Sequence, residues 1–509
     1  VVGDWLGGAL IGHGPDHTEA AAACPLRAGA AVATPDLPPP EAGGGTPYTP
    51  AEMGDAPRAV ILAAGQGTRM RSARPKVLHP LAGRPMLLHI VDVALEATGV
   101  RPIVVLSPGQ PAVREVIDAI AEVVIQAEPR GTGDALRSLP AERRDAGPVV
   151  VLYGDLPLLR AETIRSLVRA QVASGAACVL LTVVPGRPAG LGRVVRGSSG
   201  RVERVVEERD LPGGEPVPAE CNAGVYVFSG TRLWPALEAL SADNAQGEHY
   251  LTDLIGMLAP EVETVLATDP DEAMGVNDRS QLAAAEAVLR RRLLEALMLT
   301  GVTVEDPVTT YVDAAVRVGV DTVLRPMTVL RGATVIGREC EIGPMAQIRD
   351  SRIGDRVRVG ASVIDEAEIA DGVEIGHFNR VRPGSVLESG VSLGTHAEVK
   401  NSRVGVGSHI NHVSCVLDSD LGRDVNVGAG TITCNYDGRA KHRTAIGDGV
   451  FVGSNSSLVA PVRIGRGAYV AAASIVTRDV PEGALAVGRA RQRNIEGWHP
   501  RERPEDPRP

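Results

Sequence analysis

Read for hydrophobic period, the chain changes character twice. From Arg58 to about Pro270, short fully apolar runs alternate with segments whose apolar residues recur at i, i+3 and i+4. The stretches "RAVILAA", "RPIVVLS", "EVVIQAE" and "GPVVVLYGD" read as buried strands, and "PMLLHIVDVALEATG" and "PAVREVIDAIA" as helices. Strands apolar on both faces, alternating with helices, predict a Rossmann-like α/β domain around a mostly parallel sheet, with ligands at the carboxyl ends of the strands. "RSQLAAAEAVLRRRLLEALML" then reads as one long connecting helix, with Leu282, Glu286, Leu289 and Leu293 at helical spacing.

Beyond Gly301 the period becomes six. Ile369, Ile375, Val381, Leu387, Leu393 and Val399 stand six apart, as do Ile446, Val452, Leu458, Ile464, Val470 and Val476. One aliphatic residue per six, with small residues at the corners, predicts a three-sided parallel β-helix with three hexapeptides per coil. Stacked aliphatics fill such a prism, so any site on it lies outside. "CNYDGRAKHRTA", residues 434–445, breaks the period and marks a loop. The implied layout is a disordered Ala/Pro-rich extension 1–56, an α/β domain 57–278, a linker helix 279–300, a β-helix 301–490 and a tail 491–509.

Composition agrees with the repeat, since only 3% of residues are aromatic and 58 are Gly. The formal net charge of −10 argues against a general nucleic-acid binder. The six cysteines form no CxxC pair and no zinc-ligand spacing, which fits a reduced cytoplasm. No run of 18 apolar residues predicts a membrane span, and the first residues lack the basic n-region of a signal peptide.

Local chemistry concentrates in two places. In "AVILAAGQGTRM" a strand runs into a glycine turn and an expected helix start. Gly65 and Gly67 let backbone N–H groups close on an anion, a helix start would add its dipole, and Arg69 and Lys76 bring full charges. That suits a triphosphate. The loop is not a GxxxxGK[ST] P-loop, and Met70 stands where a dinucleotide fingerprint needs its third glycine. Asp155, at the end of the "VLYGD" strand, reads as a metal ligand or a helix cap, and Asn277 as a turn residue before a helix. On the β-helix, Arg382, Lys400, His412, Asn426, Asn435, Tyr436 and Lys441 form either a polar site or a solvated face.

The segments "LAAGQGTRMRSARPKVLHPLAG", "QAEPRGTGDA", "YGDLPLL", "NAGVYVF", "NAQGEHYLTDLI", "GVNDRSQL" and "NVGAGTITCNYDG" occur in that order between residues 58 and about 498. Together they resemble the bacterial bifunctional enzymes of UDP-N-acetylglucosamine synthesis, which join N-acetylglucosamine-1-phosphate uridylyltransferase to glucosamine-1-phosphate N-acetyltransferase. The resemblance implies a nucleotidyltransferase domain followed by a left-handed β-helix. In the first, Leu62, Ala63, Gly65 and Gly67 would form the nucleotide loop, and Arg69 and Lys76 would meet the phosphates of UTP. Gln126, Gly131 and Thr132 would read the uracil. Tyr153 and Gly154 would also bind the UDP-sugar, beside Asp155, which with Asn277 would hold Mg²⁺. Gly192, Glu207 and Asn222 would bind the sugar.

On the β-helix the resemblance makes Arg382, Lys400, Tyr436 and Lys441 binders of the sugar phosphate, joined by Cys415, Asn426 and Asn435. His412 would be the base toward the 2-amine of glucosamine 1-phosphate, with support from Glu398. Ser454, Ala472 and Arg489 would line the acetyl-CoA groove, and neighbouring prisms would share the site in a homotrimer. The chain departs from the family's pattern at several places. "VSCVLD" after His412 puts Cys415 at a tyrosine position and Leu417 at a glycine position. Ala223 replaces Thr, and Ala471 and Ala473 replace Gly. These changes keep open a monofunctional uridylyltransferase whose β-helix serves trimerisation or binds a regulator. A non-catalytic β-helix scaffold is the third reading. Cys434 as a nucleophile is disfavoured, since a free Cys is usually a small buried hydrophobe.

Overall fold

The computed structural model describes residues 56–65, 67–186, 190–211, 217–242 and 247–498. Residues 1–55 and the chain beyond Trp498 lie outside them, so the disorder expected for the extension falls outside the described residues.

The strand Arg58–Leu62 forms the middle of the first sheet because both its faces are apolar. Ala59 and Ile61 pack with Ile90, Val91, Ile164 and Leu167 of helices Met86–Thr98 and Ala161–Ser174. Val60 and Leu62 pack on the other side with Leu136, Leu233, Leu237 and Leu254 from three shorter helices. Strand order is Val262–Leu266, Cys178–Val183, Cys221–Ser229, Pro148–Tyr153, Arg58–Leu62, Ile103–Leu106, Glu122–Ile125. Neighbours in this order are parallel except around Cys221–Ser229, which is antiparallel to both of its partners. Hydrophobic runs give the parallel majority but carry no sign of this inserted strand's direction.

One expectation fails at the glycine turn. No helix opens there. A single 3-10 turn, Thr68–Met70, follows Gly67 and ends at Arg71, whose φ of 48° turns the chain out of any helix. Three residues build almost no macrodipole. An anion held here would rest on backbone N–H groups and on the arginine and lysine side chains.

The connecting helix runs Arg279–Leu299, and Asp278 caps it by accepting the Gln281 N–H at 2.9 Å. At 1.5 Å per residue it is about 30 Å long. Its far end carries Leu294 into the apolar cluster of the prism, with Val302, Val304 and Val312. The hairpin Pro80–Pro85 ties the two halves together. Ala82 N–H donates to Glu286 Oε2 at 2.7 Å, and Ala314 N–H donates to the Ala82 carbonyl at 2.9 Å.

Strands of two or three residues then stack into three parallel sheets of eleven, ten and nine strands. The six-residue series visits the sheets in turn. Ile369, Ile375 and Val381 sit on successive faces, and Leu387, Leu393 and Val399 pair with them one coil on. None of the six is more than 3% exposed. Burying each such side chain is worth roughly 1.5–3 kcal/mol, which is what holds strands too short to pair alone. This is the three-sided parallel β-helix that the hexapeptides predict, consistent with the left-handed form that the resemblance implies, and its filled interior leaves only the outer faces for chemistry.

Candidate active sites

The first site forms where Arg58–Leu62 and Pro148–Tyr153 end side by side, with Leu62 paired to Tyr153. Asp155 follows at once. Val276 N–H donates to the Asp155 carbonyl at 2.9 Å, which pins Asn277 beside it from far along the chain. Because Asp278 does the capping, the Asn277 side chain is left for the site. Lys76 Nζ lies 2.5 Å from Asp155 Oδ2 and 3.0 Å from Asn277 Oδ1, and Arg69 Nη2 donates to the same Asn277 oxygen at 2.9 Å. Two hard oxygen donors thus converge on one positive centre, the lysine ammonium. The pair suits a divalent cation that takes its remaining oxygens from phosphate and water. Among the described residues no group of three His, Cys, Asp or Glu could hold a metal. Gly67 makes the arrangement possible. Its φ is +63°, and a Cβ there would fall 2.4 Å from Lys76 Cβ.

Two adjoining cavities, of about 250 and 950 Å³, share Thr132, Tyr153 and Glu248. The smaller is lined by Leu62, Ala63, Gly65, Lys76, Gln126, Gly131 and Asp155. Gln126 is buried, and its Nε2 donates to Asp134 Oδ2 at 2.9 Å and to the Gly131 carbonyl at 3.2 Å, which fixes the amide. The larger takes in Arg69, Glu207 and Asn277. Burial raises the Glu207 carboxyl above its ordinary range, opposed by the Thr252 hydroxyl, which donates to it at 3.0 Å.

Other expected residues stand behind the walls. Asn222 is buried, donating to the Tyr226 hydroxyl at 2.6 Å and accepting the Gly224 N–H at 3.0 Å. Gly154 packs against Ala63 and Leu87, and Gly192 against Val205 beside Glu207.

The second site lies on one face of the prism. Strands Arg380–Val381, Glu398–Lys400, Cys415–Leu417 and Ile432–Cys434 are consecutive neighbours in one sheet. Glu398 stands opposite Cys415, and Lys400 opposite Leu417. Arg382 Nη1 donates to Glu398 Oε1 at 2.8 Å. Lys400 is held below the ordinary lysine range, first by burial and then by the charges of Lys441 and Arg382, with Asp418 opposing. Arg382, Lys400 and Lys441 thus gather on this face, with the carboxylates of Glu398 and Asp418 beside them. Lys441 reaches the cluster because the loop after Cys434 folds back on itself, with Tyr436 bridged to Lys441. Burial, and then the Glu398 charge, push the Cys415 thiol up, which disfavours a thiolate there.

His412 is exposed in the turn just before Cys415, its Nδ1 accepting the Thr395 N–H at 3.1 Å. Asn426 accepts from Asn411 Nδ2 at 3.3 Å. Farther up the prism Arg489 Nη1 donates to the Ala472 carbonyl at 2.8 Å, and Ala473 N–H to the Ser454 carbonyl at 2.8 Å, so these three expected groove residues are brought together.

Residues 59–258 match the model of the MobA-like NTP transferase domain. Curated relatives extend the match over both halves. The chain is 48% identical to the bifunctional protein GlmU of Trichlorobacter lovleyi over 449 residues, covering 86% of this chain and 97% of that protein. It is 46% identical to that of Pelobacter propionicus, with 86% and 97% covered, and 45% identical to that of Fervidobacterium nodosum, with 88% and 98% covered. The chain belongs to the bifunctional GlmU family.

A GlmU chain has two sites to fill, and the structure adds residues that reading the sequence passed over. Glu248 lies on the boundary of the two cavities, within "NAQGEHYLTDLI", a motif that carries the family likeness without singling out a residue. Thr252, in the same motif, orients Glu207. Asp418 is a buried carboxylate behind the cation cluster, accepting from Asn401 Nδ2 at 2.5 Å and from Asn435 Nδ2. A lone Asp after an apolar pair gives no sequence signal of that role.

Proposed function

We propose that this chain makes UDP-N-acetylglucosamine in two transfers at two separate sites. Acetyl-CoA acetylates glucosamine 1-phosphate on the prism, and the α/β domain then joins the product to UTP with release of pyrophosphate. The observation that carries the reading is a pair of cation clusters of different design. One is Lys76 and Arg69 set against Asp155 and Asn277 beside a cavity of about 250 Å³. The other is Lys400, Lys441 and Arg382 crowded on a prism face.

In the first site the nucleophile is a phosphate oxygen, already an anion, so no general base is needed and positioning dominates. Leu62, Ala63 and Gly65 form the wall for the nucleotide, and Gly67 lets Lys76 lie close. Gln126, its Nε2 held inward, offers its acceptor end to the uracil, next to Gly131 and Thr132. Lys76 and Arg69 leave the two side-chain oxygens for the phosphates when nucleotide enters. Glu207 accepts from the sugar hydroxyls, with Gly192 and Asn222 shaping the wall behind. Asp155 and Asn277 would hold a Mg²⁺ ion, whose chemistry is to neutralise charge on the phosphates. In the second site Arg382, Lys400, Tyr436 and Lys441 bind the sugar phosphate, and Ser454, Ala472 and Arg489 the coenzyme. Coenzyme A is lost in one step, with no acyl-enzyme on Cys415 or Cys434. Exposed Met327, Met345, Phe378 and Val413 line one corner of the prism, which supports a homotrimer sharing this site. The five described cysteines are free thiols, which supports a cytoplasmic place.

The test measures both products on one preparation. Pyrophosphate release from UTP with N-acetylglucosamine 1-phosphate, and coenzyme A release from acetyl-CoA with glucosamine 1-phosphate, are both expected. Absence of the second alone would leave a uridylyltransferase on a structural prism, and rescue by Cys415→Tyr would locate the defect.

A further inference from the structure

The oxygen pair of the first site comes from two segments far apart in the chain, and both rest on the connecting helix. Asp155 opens the loop that runs to Arg160, where helix Ala161–Ser174 begins. Asn277 lies just beyond the 3-10 turn Pro270–Ala273. Leu158 from the first segment and Val276 from the second are buried in one apolar cluster with Ala285 and Val288 of the connecting helix. Apolar contact is non-directional, so it does not fix the register of one segment against the other.

Arg292, on the same helix, supplies direction. Its Nη1 donates to the Leu158 carbonyl at 2.6 Å, and its Nη2 to Asp269 Oδ2 at 2.8 Å. Arg160 Nη2 reaches that same oxygen at 2.7 Å, and Asp269 Oδ1 caps the 3-10 turn by accepting the Asp271 N–H at 3.0 Å. Buried Glu272 accepts the Arg160 N–H at 3.0 Å and closes the ring. One planar fork thus joins the loop that opens with Asp155 to the turn that leads to Asn277, a geometry that a lysine ammonium does not copy. The Arg292 Nε is buried and finds no partner among the described residues, so the guanidinium keeps its place against a desolvation cost. Its neighbours on the helix are committed to the prism. Arg290 lies over the Tyr311 ring at 4.0 Å, and Leu294 sits in the prism core. Arg292 itself lines neither cavity of the site.

We propose that Arg292 is a positioning residue for uridylyl transfer, setting the separation of Asp155 and Asn277 and so the grip of that pair on a divalent cation. This rests on the uridylyltransferase reading above. The test titrates Mn²⁺ into the full chain with UTP present and follows free Mn²⁺ by electron paramagnetic resonance. Arg292→Gln should bind Mn²⁺ about 10–100-fold more weakly, the usual loss when a residue behind a metal ligand is removed. Arg292→Lys, which keeps the charge without the fork, should fall between. Asp269→Asn opens the same ring from the other side and should weaken Mn²⁺ binding alike, while the double variant adds little, since residues of one network are not additive. Excess Mg²⁺ should restore pyrophosphate release at saturating UTP, and coenzyme A release should stay within about twofold throughout. Mn²⁺ binding kept within about threefold of wild type in Asp269→Asn or in folded Arg292→Gln, well short of the usual loss, overturns the proposal. So does metal-free UTP binding that weakens as much as Mn²⁺ binding, which would mean a general loss of the pocket. A wild-type protein that binds no Mn²⁺ with UTP and releases no pyrophosphate overturns instead the uridylyltransferase reading on which the proposal stands.

Discussion

Asp155→Asn keeps the size of the side chain at the first site and removes its charge. The native carboxylate meets Lys76 at 2.5 Å, with the two side chains only 22% and 12% exposed. A hydrogen bond to a charged group contributes about 1.5–3 kcal/mol. Asn retains one acceptor, so the fold should lose only about 1 kcal/mol, the lower end of the cost of weakening such a bond. Catalysis should suffer more. Asn277 is neutral, so Asp155 brings the charge to the oxygen pair that converges on Lys76. Losing one electrostatic contact of this kind costs about 2.7–4 kcal/mol, or 10²–10³ in kcat. Uridylyl transfer, followed by pyrophosphate release at saturating substrates, should fall by that factor. Acetyl transfer, followed by coenzyme A release in the same tube, should stay within about twofold, since distant sites act additively. Uridylyl transfer retained within tenfold would refute the role of Asp155. Matching losses in both activities would refute the separation of the sites.

Gly67→Ala should cost about 1–2 kcal/mol for its left-handed φ and push Lys76 aside. Calorimetry and a selective fall in uridylyl transfer would check it. Burial holds the Glu207 carboxyl high, so its ionised form weighs against folding and protonation relieves the fold as pH falls. The KM for N-acetylglucosamine 1-phosphate should rise on acidification at a higher pH than an ordinary glutamate near 4.5 would give, and Glu207→Gln should remove that dependence. For Lys400, held below the ordinary 10.5, the unfolded chain binds more protons between its lowered value and 10.5. Stability should therefore gain with pH across that window. Affinity for glucosamine 1-phosphate should weaken across it, as direct titration of binding would read. Cys415→Ser should leave acetyl transfer within about fivefold, because burial keeps the thiol protonated, and a thousandfold loss would revive a covalent route.

The prism was legible because most inward strand positions carry an aliphatic residue five or six after the last, and no long-range contact is needed to see that rule. The glycine turn stood out for a different reason. Gly65, Gly67, Arg69 and Lys76 lie within one short stretch, so their chemistry reads locally. What stayed hidden depends on contacts between distant segments. Asn277 leaves its capping role only because Asp278 takes it and because Val276 bonds to Asp155. The expected helix after Gly67 is cut to one turn by the left-handed Arg71, which nothing about an arginine announces. The Nδ1 contact of His412 reaches back a whole coil to Thr395, beyond any local pattern.

The two sites differ in how they hold positive charge before substrate arrives. In the α/β domain Lys76 is satisfied by Asp155 and Asn277, so on the function proposed above a phosphate would displace protein oxygens, which would then be available for a cation. On the prism Arg382 is satisfied by Glu398, while Lys400 is crowded by its own kind. On the function proposed above, an anion bound there would meet a lysine that burial and the charges of Lys441 and Arg382 hold below its ordinary range. The register explains why the prism can sustain that strain. Residues of like phase in neighbouring coils stand about 4.8 Å apart, and a core filled with aliphatics fixes the backbone beneath them. Lys400 and Leu417 are such neighbours, so the side chain at 417 sets how much room lies beside Lys400. Both it and Cys415 face outward from a strand whose inward residue, Val416, is buried. Their departure from the GlmU pattern can therefore alter the cleft without touching the core that builds it.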